Sequence, residues 1–325
     1  MTASDHTLAV RRLYERGTRC EILPWLADFL TARRQRVQYQ SALSSWKTLS
    51  CGVPQGTKLG PITFISVINS ASEESATKSF KYVDDLSLAE VRSANQPTKI
   101  GQDVEDLDVW AKDNHLTLNP GKCKVMQVCF KKEVPAPPSL QIAGVELEVV
   151  AETKLLGLTI QSDLRWQTQI NNMISKASRR LYMLSRLRRF GVPADDLASV
   201  YIGYVRQVCE YAAPVWHSNI TADQSNQIER IQKRACRIIL GSKYDSYTET
   251  LRQLELQSLE DRRSHLCSQF AKKCVQSERY ESWFPLNPRT HGMHLRRTNK
   301  YYVPKCNTNR YKNSAIPFLR DLLNT

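Results

Sequence analysis

Two adjacent carboxylates, Asp84 and Asp85, sit in the apolar stretch Phe80-Lys81-Tyr82-Val83-Asp84-Asp85-Leu86-Ser87-Leu88. Successive residues of a strand point to opposite faces, so neighbouring acids can share one site only where the chain turns. A strand, a tight turn and a second strand would bring both to the turn, where they can hold a divalent cation. Carboxylates used in this way bridge two ions ~3.5–4 Å apart in phosphoryl transfer and neutralise charge on the attacking and leaving oxygens. Most Asp-Asp pairs are solvated turns. The setting separates this one: apolar strands flank it, and the glycine-rich run Cys51-Gly52-Val53-Pro54-Gln55-Gly56-Thr57-Lys58-Leu59-Gly60-Pro61 lies about thirty residues upstream. That run cannot be regular structure, and Pro61 is well placed to open the helix after it. A second set of metal-ligand residue types, Cys267, Cys274, His291, His294 and Cys306, fits no zinc template and reads as scattered thiols and surface histidines.

Composition narrows the partner. The chain has 325 residues, 46 Lys plus Arg against 32 Asp plus Glu, a net charge of +14 and 41% hydrophobic residues. That hydrophobic share can build cores in about two domains and excludes a wholly disordered chain. No apolar run approaches the ~20 residues of a membrane span. The N-terminus has no signal-peptide pattern. Nine cysteines without a C-x-x-C pair point to a reducing compartment, nucleus or cytoplasm, rather than to a disulfide framework. The charge is uneven: residues 1–50 carry +4, 51–150 carry −3, 151–240 carry +6 and 241–325 carry +7. Basic flanks around an acidic middle suit a protein that grips phosphates and concentrates carboxylates where a metal is needed.

The elements that must position these residues follow from periodicity. A helix is expected from Asp5, its cap, to Arg16, with Gly17 ending it. A second helix buries Trp25, Leu26, Phe29 and Leu30. Residues 36–40 and 46–49 alternate as a hairpin. Ile100, Val104, Leu107 and Ala111 mark another helix, and two or three strands follow between Val125 and Ile160. From about residue 166 the pattern is helical. Ile170, Ile174, Ala177, Leu181, Leu184 and Leu187 form one apolar stripe, with Lys176, Arg179, Arg180, Arg186 and Arg188 on other faces. Leu197 to Tyr211 and Ile228 to Ile239 give further helices, the latter stopped by Gly241. The tail after Trp283 lacks periodicity and reads as irregular.

The ordered set Gly52-Val53-Pro54-Gln55-Gly56 with Leu59-Gly60-Pro61, Tyr82-Val83-Asp84-Asp85, Leu118-Asn119-Pro120-Gly121-Lys122 and Leu155-Leu156-Gly157-Leu158 resembles reverse transcriptases, most of all those of jockey-like non-LTR retrotransposons. Lys176-Ala177, Gln232-Lys233-Arg234-Ala235 and Tyr311-Lys312-Asn313-Ser314 with Ile316-Pro317 extend the likeness toward the C-terminus. The resemblance implies an α+β fold. Residues 1–165 would be a partial polymerase fingers and palm with an antiparallel sheet, 166–282 an all-α thumb, and 283–325 an irregular basic tail. It implies that Asp84 and Asp85 bind Mg2+ or Mn2+ as catalytic carboxylates and that Lys122 lies near the departing pyrophosphate. Gly52, Pro54, Gln55 and Gly56 would support template–primer and nucleotide, and Leu155, Leu156 and Gly157 would form the primer grip. Arg179, Arg180, Arg186, Arg188 and Arg189 would follow the nucleic-acid backbone. The implied partners are an RNA template with a DNA primer or an RNA–DNA duplex, together with deoxynucleoside triphosphates.

Two departures from the family pattern stand out. Thr57-Lys58 replaces a small hydroxyl and an apolar residue. The position of a third catalytic carboxylate, three residues before Asp5, falls on Thr2. The expectation is therefore a reverse transcriptase fragment that is inactive alone. The alternative is a non-catalytic remnant that binds RNA or RNA–DNA duplex.

Overall fold

Apolar residues recur at helical spacing over much of the chain, and short alternating runs lie between them. The computed structural model turns that pattern into two compact units, Met1–Ala151 and Glu152–Thr325. It describes residues 6–49, 51–54, 56–93, 96–288 and 299–325. Thr2, Asp5, Gln55, His291 and His294 lie outside the described residues.

In the first unit α1 (His6–Glu15) is followed by α2 (Leu23–Leu30). A two-tier hairpin comes next. In it β1 (Arg34–Gln35) pairs antiparallel with β4 (Lys47–Thr48), and β2 (Gln38–Tyr39) with β3 (Ala42–Leu43). After the glycine-rich loop come α3 (Leu59–Ile68), the hairpin β5 (Lys78–Tyr82) and β6 (Asp85–Ala89), and α4 (Ile100–Asp113). The unit closes with β7 (Lys124–Val125), the hairpin β8 (Gln141–Ile142) and β9 (Val145–Glu146), and β10 (Glu148–Val149), which pairs parallel with β7. Ala9, Leu30, Val67, Ile68, Ala111 and Leu116 form one core, and Val104, Leu140, Ile142 and Leu147 a second. Trp25 departs from the expected buried stripe: Leu26 and Leu30 are buried, whereas Trp25 is exposed and stacks on Phe29. The expected antiparallel sheet is present as separate two-stranded ladders among the described residues, one of them parallel. Strands of two to five residues leave little edge on which a third could pair.

The second unit opens with the hairpin β11 (Glu152–Leu155) and β12 (Leu158–Gln161), then α5 (Gln167–Arg189). The helix α6 (Ala194–Val200) runs through a π-turn at Tyr201–Arg206 into α7 (Gln207–Glu210), followed by α8 (Ala213–Trp216). Next come α9 (Ala222–Leu240), α10 (Tyr247–Gln253) and α11 (Leu259–Val275). A capping box between Thr221 and Gln224 starts α9. The main core joins the stripe Ile170, Met173, Ala177, Leu181 and Leu184 of α5 to Ile228, Ile231, Ala235 and Ile239 of α9, with Tyr201 and Trp216 fully buried. The C-terminal segment is not irregular throughout. Residues Asn309–Lys312 form α12 and Ala315–Asn324 form α13, an amphipathic helix whose Phe318, Leu319, Leu322 and Leu323 pack with Cys267, Ala271 and Cys274 of α11. Its ten residues are too few for a periodicity to stand out beside the Pro- and Asn-rich stretch before it. Among the described residues no helix is long and apolar enough to cross a membrane.

Candidate catalytic hairpin and basic helix

The acidic pair occupies the turn that the sequence requires. Lys78, Phe80 and Tyr82 of β5 are exposed, and Ser79 and Lys81 between them are half-buried. Tyr82 pairs with Asp85, which leaves Val83 and Asp84 as a two-residue loop. Val83 has φ +54°, a conformation that costs an L-residue about 1–2 kcal/mol and is an outlier for a β-branched one. Asp84 and Asp85 are both exposed.

Other acids fix the base of this hairpin. Asp103 of α4, 4% exposed, accepts hydrogen bonds from the backbone N–H groups of Ala76 and Thr77, both at 2.9 Å. Burial alone would raise its pKa. Hydrogen bonds from Thr77 and Ala76 outweigh that and hold the carboxyl below its ordinary range. Glu90, just past β6, accepts from the N–H of Lys99 at 2.8 Å and the hydroxyl of Thr98 at 2.7 Å, which lowers its pKa. Lys81 donates to the carbonyl of Asn69 at the end of α3, and burial depresses its ammonium pKa. The base is thus pinned on both strands while the tip presents two carboxylates to solvent. A magnesium-type ion takes one or two protein carboxylates and completes its shell with substrate phosphates and water, so Asp84 and Asp85 fit such an ion. Among the described residues no group of three or more His, Cys, Asp or Glu side chains converges as a closed metal site. Cys267 and Cys274 are instead buried in the α11–α13 core, and burial pushes the Cys267 thiol up to about 12.

The glycine-rich loop is held by contacts at both ends. The carbonyl of Gly52 meets the ring Nε2 of buried His6 at 2.8 Å and accepts from Arg33 Nη2 at 3.2 Å. Thr57 donates its hydroxyl proton to the carbonyl of Pro54 and accepts from the N–H of Gly60. A Cβ at Gly60 would lie 2.2 Å from the Pro54 oxygen, so the loop folds back closely enough to exclude any side chain there. Thr57, read as a departure, is therefore the clasp of the loop. Lys122 is exposed in the turn Pro120–Lys122 and makes no ion pair with Asp84 or Asp85 among the described residues.

In the second unit Leu155 pairs with Leu158, and Leu156 and Gly157 form the β11–β12 turn with φ +46° and +85°. Tyr211 donates its hydroxyl to the carbonyl of Leu156 at 2.7 Å, and its ring lies 3.4 Å from where a Cβ of Gly157 would be. Sequence reading had no signal for Tyr211, whose partner is 55 residues away. The five arginines of α5 divide by environment. Arg179, Arg186 and Arg189 are exposed. Arg180 lies over the Tyr204 ring and donates to the Tyr204 carbonyl. Arg188 donates to the carbonyls of Ile238, Ile239 and Leu240, the last turn of α9. Its guanidinium is a helix cap.

The acidic β-turn is thus pinned at its base and lies downstream of a tightly clasped glycine-rich loop. Residues 5–160 match the family model "Reverse transcriptase (RNA-dependent DNA polymerase)". The chain is homologous to the RNA-directed DNA polymerases of Drosophila non-LTR retrotransposons. It is 26% identical over 266 residues to the probable RNA-directed DNA polymerase from transposon BS of Drosophila melanogaster, covering 76% of this chain and 29% of that protein. The corresponding probable polymerase from transposon X-element of the same species is 22% identical over 73% of this chain and 27% of its own length. The RNA-directed DNA polymerase from mobile element jockey of Drosophila funebris is 24% identical over 68% of this chain and 25% of its own length. The matched part is thus between a quarter and three tenths of these relatives. Reverse transcriptases use divalent metal ions.

Proposed function

We propose that the chain contributes the catalytic hairpin and the helical thumb of an RNA-directed DNA polymerase. The observation that carries this reading is the β5–β6 turn, with Asp84 and Asp85 exposed at its tip and Asp103 and Glu90 fixing its base. Asp84 and Asp85 would hold Mg2+, or Mn2+ in its place, against the phosphates of a deoxynucleoside triphosphate. The ion, when bound, would neutralise charge developing on the reacting phosphate. The loop from Gly52 through Pro54 and Gln55 to Gly56 would bear on the template–primer, where glycine allows close backbone approach. Lys122 would supply a cation near the leaving pyrophosphate. Leu155, Leu156 and Gly157 would seat the primer strand, with Tyr211 fixing their turn.

We assign residues 1–165 to fingers and palm, 166–282 to the thumb and 283–325 to a basic tail. The thumb would track an RNA template–DNA primer duplex through Lys176, Arg179, Arg186 and Arg189, the exposed basic residues of α5. A nuclear or cytoplasmic site of action accords with nine cysteines that include no C-x-x-C pair.

Two-ion chemistry takes a further carboxylate, and the position that the resemblance assigns to it is Thr2. A polypeptide of these 325 residues is therefore expected to bind primer–template without extending it. Binding should fall steeply with salt and should weaken when Arg179, Arg186 and Arg189 are replaced by alanine. Clear extension that disappears in Asp84→Asn would overturn the claim of incompetence. Unchanged duplex binding in the triple arginine variant would overturn the thumb assignment.

A further inference from the structure

The two-tier hairpin between α2 and the glycine-rich loop has no role in the reading above. Every residue from 34 to 48 is exposed, including Trp46 at 54% and Tyr39 at 74%. An isolated two-stranded ribbon is marginal in water, and this one gains nothing from burying its large apolar side chains. Its charge is one-sided: residues 33–49 contain Arg33, Arg34, Arg36 and Lys47 and no acid, although residues 51–150 carry −3. The register Arg34↔Thr48 and Gln35↔Lys47, carried one step further, sets Arg36 across from Trp46. The guanidinium of Arg36 lies 4.6 Å from the Trp46 ring centroid and that of Arg34 5.7 Å. Hydrogen bonds in both directions between Val37 and Ser44 lock the upper tier to the lower. Arg33 ties the base of the ribbon to the carbonyl of Gly52.

We infer that this hairpin is a binding surface for single-stranded nucleic acid, separate from the β5–β6 turn. Unpaired bases offer π-faces that stack on an exposed indole or on a guanidinium plane, and phosphates pair with the flanking arginines. Gln35, Gln38 and Gln40 add amide donors and acceptors of the kind that reach base edges. A duplex keeps its bases stacked inside and cannot use Trp46 in this way. An acidic protein surface would satisfy the arginines but would leave the arginine-flanked indole without a planar partner.

The test uses the full chain in EDTA, so that metal-dependent chemistry does not enter, and fluorescence anisotropy with a labelled oligouridylate and a blunt RNA duplex of equal length. Trp46→Ala should weaken oligouridylate binding about tenfold or more, as the loss of one stacked base does, and should leave duplex binding within twofold. Trp46→Phe should recover most of the loss. Replacing Arg34 and Arg36 together should reduce the slope of log affinity against log salt by about 1.4. Because Trp46 is exposed, all variants should melt as the parent does. Oligouridylate binding unchanged in Trp46→Ala, or single-strand and duplex binding lost together, would overturn the inference. Binding to anionic vesicles but not to oligouridylate would overturn it as well.

Discussion

Replacing Arg188 by alanine should unfold the second unit more easily rather than loosen its hold on nucleic acid. The last four carbonyls of a helix have no partner within it, and Arg188 donates to three of them at the end of α9, those of Ile238, Ile239 and Leu240. The contacts to Ile238 and Leu240 are long, at 3.3 Å. We therefore count one full charge-assisted bond of about 1.5–2 kcal/mol, with about 0.5–1 kcal/mol more from the long contacts and the negative end of the helix dipole. The total, roughly 2–3 kcal/mol, corresponds to a fall in melting temperature of about 5–10 °C for a unit of this size. The assay is thermal and urea unfolding of the full chain followed by circular dichroism, with Arg179→Ala and Arg189→Ala as exposed controls that should melt within 2 °C of the parent. Arg188→Lys should recover only part of the loss, because an ammonium cannot fork across successive carbonyls. If Arg188→Ala melts like the controls while its duplex affinity drops as theirs does, the capping assignment is wrong and Arg188 belongs with the backbone-tracking arginines.

Three further outcomes follow from the same geometry. Gly60→Ala must open the gap between a Cβ and the Pro54 oxygen from 2.2 Å to beyond 3 Å, at a cost of about 1–3 kcal/mol. It should shift urea midpoints and raise proteolytic cleavage in the loop. Asp103→Ala leaves the N–H groups of Ala76 and Thr77 without their acceptor and should cost about 2–3 kcal/mol. The carboxyl pKa is depressed in the fold, so the contribution of Asp103 is present above its unfolded pKa near 4 and is lost as pH falls below it, which unfolding against pH in parent and variant would show. His217 is pushed down to about 4 by burial and by the neighbouring Arg263 guanidinium. The unfolded chain then binds the proton more readily, and stability should decline as pH falls from about 6.5 to about 4. His217→Gln should flatten that part of the profile.

The acidic turn was legible because its two cues are local: apolar residues on both sides and two adjacent carboxylates that can converge only at a bend. The stripes of α5 and α9 were legible for a similar reason, since 3.6-residue periodicity over about twenty residues leaves few alternatives. The fixtures of the site were not, because each joins residues far apart in sequence. Asp103 meets Ala76 and Thr77 from more than twenty-five residues away, and Tyr211 reaches Leu156 across 55. Arg188 shows the limit most plainly. It carries the same charge and lies on the same helix as Arg186 and Arg189, and only the position of the α9 terminus makes it a cap. Trp25, expected inside, lies outside: the eight-residue α2 buries Leu26 and Leu30, with Phe29 partly buried against the core, and Trp25 stacks on Phe29 from the solvent side.

Single-nucleotide incorporation is the most direct test of the two carboxylates at the β5–β6 turn. The protein would be a chimaera in which the upstream segment of the transposon BS polymerase precedes residues 5–325 of this chain, supplied with an RNA template, a DNA primer and Mg2+. Asp84→Asn and Asp85→Asn should each slow incorporation by about 1,000-fold, equivalent to several kcal/mol of lost charge stabilisation, with primer–template affinity unchanged. A chimaera that incorporates nucleotide at a rate within tenfold of the parent after either substitution would contradict the account.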